Sequence, residues 1–283
     1  MMRPARRLAL ARLSQLGGAG LAAAVGSRPA LASPPAAALA TPASAPASDT
    51  PRRKRQVLML AHPDMTALDL VGPQLIFASM PDTEVRLVWK QRTPIVADSG
   101  LQLLPDLVLA EAPPAPDILF VPGGLKGSTA LMGDEEVLDF LRQRGERAGW
   151  VSSVCTGALV LGAAGLLQGH RATTHWYVHD LLPLFGARPV KERVVMDRNR
   201  LTGGGVTAGI DLALTLSAAL CGAGHARLQE LVFEYAPQPP MGTGTPERAG
   251  TELTQAVLAR RRPAIEAARQ AARQAGARLK PPA

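Results

Sequence analysis

The stretch WVSSVCTGALVLGAAGLL, from Trp150 to Leu167, runs as a short β-branched segment that stops at Cys155 and turns at once into an Ala/Leu/Gly segment. A cysteine that ends a strand and opens a helix sits in a tight turn that presents its side chain, and the unpaired N–H groups and positive dipole end of that helix favour a thiolate. This is the pattern of a nucleophile elbow with sulfur in place of a hydroxyl. Covalent attack on an electrophilic carbon is the chemistry it would serve. The competing reading is a small buried hydrophobe, a common role of free cysteine, and the pattern alone leaves the two level.

Activating groups must come from elsewhere, because Thr156 and not a histidine follows Cys155. His175 in RATTHWYVHD and His62 in AHPDMTALDLVGP are the histidines available across the fold. A lone histidine is more often a surface residue or a satisfied core residue than a base. Asp69 stands between Leu68, Leu70 and Val71 just after the first expected strand. Such surroundings raise a carboxyl pKa by desolvation; the same residue also reads as a helix N-cap, since DLVGP opens a helix. Gly123-Gly124 and Gly203-Gly204-Gly205 both follow strands without matching a dinucleotide or P-loop pattern. Their glycines let backbone N–H groups approach a substrate or simply serve tight turns, and the turn is the safer reading. No His/Cys/Asp/Glu cluster has metal-ligand spacing and no GxSxG motif occurs.

The elements that must hold these residues alternate. QVLMLA and EVRLVWK read as strands around a short helix DLVGPQLIFASM; DILFVPGG is a buried strand ending in glycines, and DEEVLDFLRQRGERA an amphipathic helix. WVSSV is a strand, TGALVLGAAGLL a helix; after RATTHW come a helix to about Phe185, a strand RVVMD, a turn LTGGG and a long helix VTAGIDLALTLSAAL. Alternation of this kind implies βαβ units and an α/β fold with a mainly parallel sheet covered on both faces. Sites in such sheets gather outside the carboxyl ends of the strands. Cys221 falls on what reads as a buried helix face and is given no role. Two cysteines allow one bridge at most.

At 283 residues, 47% hydrophobic and with mean hydropathy +0.07, the chain is expected to fold around a sizeable core. Its net charge of +8 is concentrated at the ends. Residues 1–32 hold arginines and no acid, PRRKR follows at 51–55, and the stretch from Leu258 is basic, so the body between 56 and 257 is net negative. A nucleic-acid footprint is therefore absent where it would matter. The basic start, a weak apolar stretch and ALA at 30–32 fit an export signal over 1–32, with Arg6-Arg7 leaning toward the twin-arginine type. Periplasmic or secreted location is expected, and a cytoplasmic one if the leader is not functional. Residues 33–55 read as an Ala/Pro-rich disordered linker. No membrane span is expected, and 247–283 reads as a basic, Ala-rich helix or solvated tail.

MTALDLVGP, ILFVPGG, SVCTGALVLGAAGLLQGHRATTHW, GGGVTAGIDLAL and FEYAPQPPMGTGTP, in that order, together resemble the isonitrile hydratase branch of the DJ-1/PfpI superfamily over roughly 56–246. The resemblance implies a flavodoxin-like three-layer sandwich, usually a homodimer with the site near the subunit interface. It places the nucleophile on Cys155 and its acidic partner on Asp69, and makes Thr156 the source of an adjacent N–H and hydroxyl. The superfamily histidine falls on His175, with Gly124 and Gly204 accessory. The implied reaction joins the Cys155 thiolate to the terminal carbon of a small-molecule isonitrile, with Asp69 supplying a proton, and gives an N-substituted formamide through a thioimidate; this cysteine mechanism needs neither metal nor cofactor. Relatives acting on peptides or glutamine carry a Cys-His pairing that VCTG lacks. The alternative is an exported ligand-binding or stress-related protein with an oxidisable cysteine. A regulator's sensor domain is a third reading, but some fifty residues after the core are too few for a helix-turn-helix pair.

Overall fold

The structure, a computed structural model, describes residues 53–279; the expected export signal and nearly all of the expected linker lie outside the described residues. The strands are β1 (Arg55–Leu60), β2 (Thr83–Trp89), β3 (Ile95–Val96), β4 (Gln102–Leu103), β5 (Leu107–Val108), β6 (Ile118–Val121), β7 (Trp150–Val154), β8 (Arg171–Ala172), β9 (Arg188–Pro189), β10 (Val194–Asp197) and β11 (Arg200–Gly203). The helices are α1 (Ala67–Ala78), α2 (Leu125–Leu131), α3 (Glu135–Gly145), α4 (Gly157–Ala163), α5 (Ala208–Cys221), α6 (Ala223–Val232) and α7 (Pro246–Arg278). Seven strands form one sheet in the order β10-β11-β7-β6-β1-β2-β5, in which only β10 runs antiparallel to its neighbour. The expected α/β architecture with a mainly parallel sheet is therefore present.

Alternation along the strands divides the interior into two layers. Leu58, Leu60, Leu119 and Val121 point to one face and pack with α3, α4 and Phe185. Val57, Met59, Ile118 and Phe120 point to the other and pack with α1 and α5. Central strands buried on both faces read in sequence as unbroken apolar runs, which is why QVLMLA and DILFV were legible.

Four elements depart from the sequence expectation. LTGGG is not simply a turn: Arg200–Gly203 forms β11, parallel to β7 and antiparallel to β10. The segment before Phe185 is a 3-10 helix, Trp176–Phe185, closed by Gly186 in the left-handed conformation. Cys221 is the last residue of α5, half-buried, with the Arg55 guanidinium 3.7 Å from its sulfur. The basic C-terminal segment is no solvated tail. α7, interrupted at Gly250, lays Ile265, Ala268, Ala272 and Ala275 into the core against the 3-10 helix, α2 and α4. Those four positions fall on one helical face, and small side chains let the backbones approach closely; a Cβ on Gly276 would collide with the Leu184 carbonyl.

Candidate active site

Because β1, β6, β7 and β11 are parallel, their carboxyl ends meet on one side of the sheet, and each delivers one part of the site. β7 ends at Val154 and Cys155 follows with φ +55, a left-handed backbone that a side chain adopts at a cost of about 1–2 kcal/mol. The turn is held from β11: the Cys155 N–H donates to the carbonyls of Gly203 (3.1 Å) and Gly204 (2.7 Å). Thr174 Oγ1 donates to the Cys155 carbonyl at 2.8 Å. Thr156 caps α4, so the sulfur stands at the start of that helix as expected from sequence.

Asp69 comes from α1, the helix that follows β1. It is not the N-cap of α1; Thr66 takes that position, and Asp69 lies in the first turn with its carboxyl fully buried. Asp69 Oδ2 accepts from the Gly123 N–H at 2.9 Å, and the same carboxyl accepts from the Cys155 thiol. Oδ1 has no partner. Burial raises the Asp69 pKa from 3.8 to about 7, outweighing the hydrogen bonds from Gly123 and Cys155 that lower it. The expected apolar shift of this carboxyl is thus present.

The thiol departs from expectation. Cys155 is 3% exposed. Burial, followed by the neighbouring Asp69 charge, pushes its pKa up, and the N–H groups of Thr156 and Gly124 that face the sulfur only partly offset this. A helix N-terminus lowers a thiol pKa where water reaches it; here desolvation is the larger effect. The carboxyl and the thiol are two weak acids that share the burden of one negative charge.

Glycine at 123 and 124 answers a spatial demand. A Cβ at Gly123 would lie 2.6 Å from Thr156 N, 2.7 Å from Asp69 Oδ2 and 2.8 Å from Cys155 Cβ. Gly124 has φ +121, and its N–H donates to Thr156 Oγ1 at 3.0 Å. Thr156 Oγ1 also lies 2.8 Å from Ser128 Oγ, a fully buried hydroxyl that sequence reasoning passed over. Gly204 has room for a side chain; its role is the carbonyl that holds Cys155 N–H.

The two histidines separate. His62 is buried under the β6 end, hydrogen-bonded to the Pro63 and Pro122 carbonyls, where its ring fills space beside Gly127. His175 and Cys155 line one cavity of about 460 Å³. Burial holds the His175 ring neutral, with its pKa lowered to about 4, and it stacks on Tyr177 at 3.8 Å between centroids. Among the described residues, no hydrogen bond joins it to the sulfur. Thr66 and Tyr177 form further parts of the wall, and the far side comes from α7 through Leu253, Val257 and Arg261. Neither Tyr177 nor Arg261 was singled out from sequence. Among the described residues, no group of three His, Cys, Asp or Glu is placed to hold a metal ion.

Fold and site define a flavodoxin-like α/β protein whose strand-to-helix turn carries a cysteine beside a buried carboxyl. The model of the DJ-1/PfpI family matches residues 55–219, and the chain belongs to that family. It is 49% identical over 224 residues to the isonitrile hydratase of Pseudomonas putida, a match that covers 79% of this chain and 97% of that one. That match is longer than the stretch 56–246 on which the sequence motifs fall. Among solved structures, a THiJ/PfpI family protein from Pseudomonas syringae superposes with a TM-score of 0.76 at 39% identity, covering 82% of this chain and 98% of that chain. The HTH-type transcriptional regulator GbdR of Pseudomonas aeruginosa is 34% identical over 122 residues, 42% of this chain and 32% of the regulator.

Proposed function

We propose that the protein is a cysteine-dependent hydratase that converts an isonitrile, R–N≡C, to an N-substituted formamide. The observation that carries this reading is the Cys155–Asp69 pair, two buried acids in hydrogen-bond contact, with Cys155 on the wall of a cavity. The similarity to isonitrile hydratase over most of the chain supports it.

Isonitrile carbon accepts both a nucleophile and a proton, and the pair offers both. In the reactive state Asp69 is ionised and Cys155 holds the proton. As sulfur bonds to the isonitrile carbon, the S–H proton passes to Asp69 and from there to the same carbon, giving the thioimidate Cys155–S–CH=N–R. Water then adds across C=N with Asp69 taking and returning a proton. Collapse of the tetrahedral species breaks the C–S bond, restores the thiol and releases HC(=O)–NH–R. The N–H groups of Thr156 and Gly124 face the sulfur and stabilise charge that develops on it. This assignment replaces the resting thiolate suggested by the helix terminus with a thiol that is deprotonated only as it attacks. A raised thiol also weighs against the alternative of a cysteine kept for oxidation, since the thiolate is the oxidisable form.

The test is to incubate the protein lacking residues 1–32 with cyclohexyl isonitrile and to follow the formamide by NMR. Turnover that vanishes in Cys155→Ala supports the reading; equal turnover by the variant overturns it. Two copies are proposed to pair, since Leu228, Leu231 and Val232 leave an apolar face of α6 open, Leu231 with 79% exposure. Sedimentation should give twice the chain mass, and Leu231→Glu should shift it toward one.

A further inference from the structure

The wall of the Cys155 cavity carries two ionised side chains, Asp98 and Arg261. They do not pair with one another. Asp98 is tied to the start of α1, where its Oδ2 accepts from Thr66 Oγ1 at 2.7 Å and its backbone N–H donates to the Met65 carbonyl. Arg261 approaches from α7, and its charge bears on the rings of His175 and Tyr177. Two other arginines of α7 have acidic partners, Arg269 with Asp180 and Arg278 with Glu135, and of the α7 arginines Arg261 is the one that lines the cavity. Among the described residues, Arg261 has no acidic side chain within ion-pair distance, although it is the cationic residue that faces the cavity.

An unpaired guanidinium on the wall of a cavity with a reactive sulfur on the other is a recognition point for a planar anion, which it can bind through two parallel N–H donors. We infer that the substrates of this site carry a carboxylate on the R group and that Arg261 is the residue that selects them. The inference rests on the hydratase reading for the identity of the reacting end and adds the chemistry of the distal end. Asp98 contributes the complement: it repels the carboxylate from the α1 wall and so leaves one orientation, with the anion toward α7 and the isonitrile toward Cys155.

Matched substrates test it, a short and a long carboxylate each against its methyl ester: isocyanoacetate and 4-isocyanobenzoate. The quantity read is the ratio of kcat/KM for the acid to that for the ester. In the wild-type protein the ratio should exceed one for at least one pair and shrink with added salt; in Arg261→Gln it should fall about ten-fold or more, and Arg261→Lys should recover part of it. A ratio equal in the wild type and Arg261→Gln for both pairs overturns the inference. If the wild type turns over cyclohexyl isonitrile but neither acid, the inference is overturned; if it turns over none of these isonitriles, the hydratase reading has failed on its own account. Calorimetry with the formamides N-formylglycinate and 4-formamidobenzoate against their esters then decides whether Arg261 selects the anion. Acid binding that Arg261→Gln weakens upholds recognition; binding indifferent to ester or variant overturns it.

Discussion

Asp69 is a residue whose burial sets the behaviour of the pair. With its pKa near 7 and the carboxylate needed to take the thiol proton, kcat/KM should rise with pH through about 7. Asp69→Asn should lower kcat by at least about 100-fold, the usual range for a positioned acid-base group. The same change should make Cys155 alkylate faster with iodoacetamide at pH 8, because the carboxylate charge is one cause of the raised thiol. A dead hydratase with a more reactive sulfur separates proton transfer from mere exposure; slower alkylation would contradict the pairing. Stability should move too. A carboxyl whose folded pKa is raised stabilises the fold fully below its unfolded value of 3.8 and loses that contribution as pH climbs through 7. Burial of neutral His175 acts in the opposite sense, its stabilisation being lost as pH falls through about 4. The Tm difference between Asp69→Asn and wild type isolates the first effect and should grow in favour of the variant from pH 4 to pH 7. Cys155 was legible because it ends a strand and opens a helix; the raised carboxyl of Asp69 was legible from its apolar neighbours, but by residue type it read first as a helix cap, and only the motif resemblance set it beside the sulfur. The direction of the thiol shift was not legible, since it depends on how completely the two covering layers exclude water.

At the scale of elements, α7 was the least legible part. Its residues from Leu258 to Arg278, where charge and alanine are mixed, read as solvated, yet Ile265, Ala268, Ala272 and Ala275 recur at helical spacing and form the buried stripe. Alanine carries little hydrophobic signal, and the basic residues on the other face masked it. Ala272→Glu should therefore destabilise the fold by about 3 kcal/mol or more, by burying an unpaired charge, and lower Tm accordingly; an unchanged Tm would mean that the helix is not docked in solution. β11 escaped for a different reason: RLTG is four residues long, ends in glycine and has one large apolar side chain, so nothing in it marks a central strand. Its pairing with β7 is nonetheless what presents the Gly203 and Gly204 carbonyls to Cys155. The apolar strands β1 and β6, by contrast, were readable from unbroken hydrophobic runs of the right length.

For the whole molecule, we propose export through the leader at 1–32. Expression of the full chain in a bacterium should place the protein in the periplasmic fraction with Ser33 as its first residue; a cytoplasmic protein that retains the leader would refute this. Charge is unevenly spread along the chain, and the positive C-terminal helix lies against the net-negative body. The site draws on almost the full length of that body and on the basic helix beyond it: Asp69 precedes the second strand, Cys155 lies midway, and the cavity is closed by Leu253, Val257 and Arg261. Synthesis consequently finishes the reactive turn long before it makes the wall that encloses it. A chain that stopped after about Thr245 would keep Cys155, Asp69 and Thr156 in place but lose one wall of the cavity, leaving that side open to water.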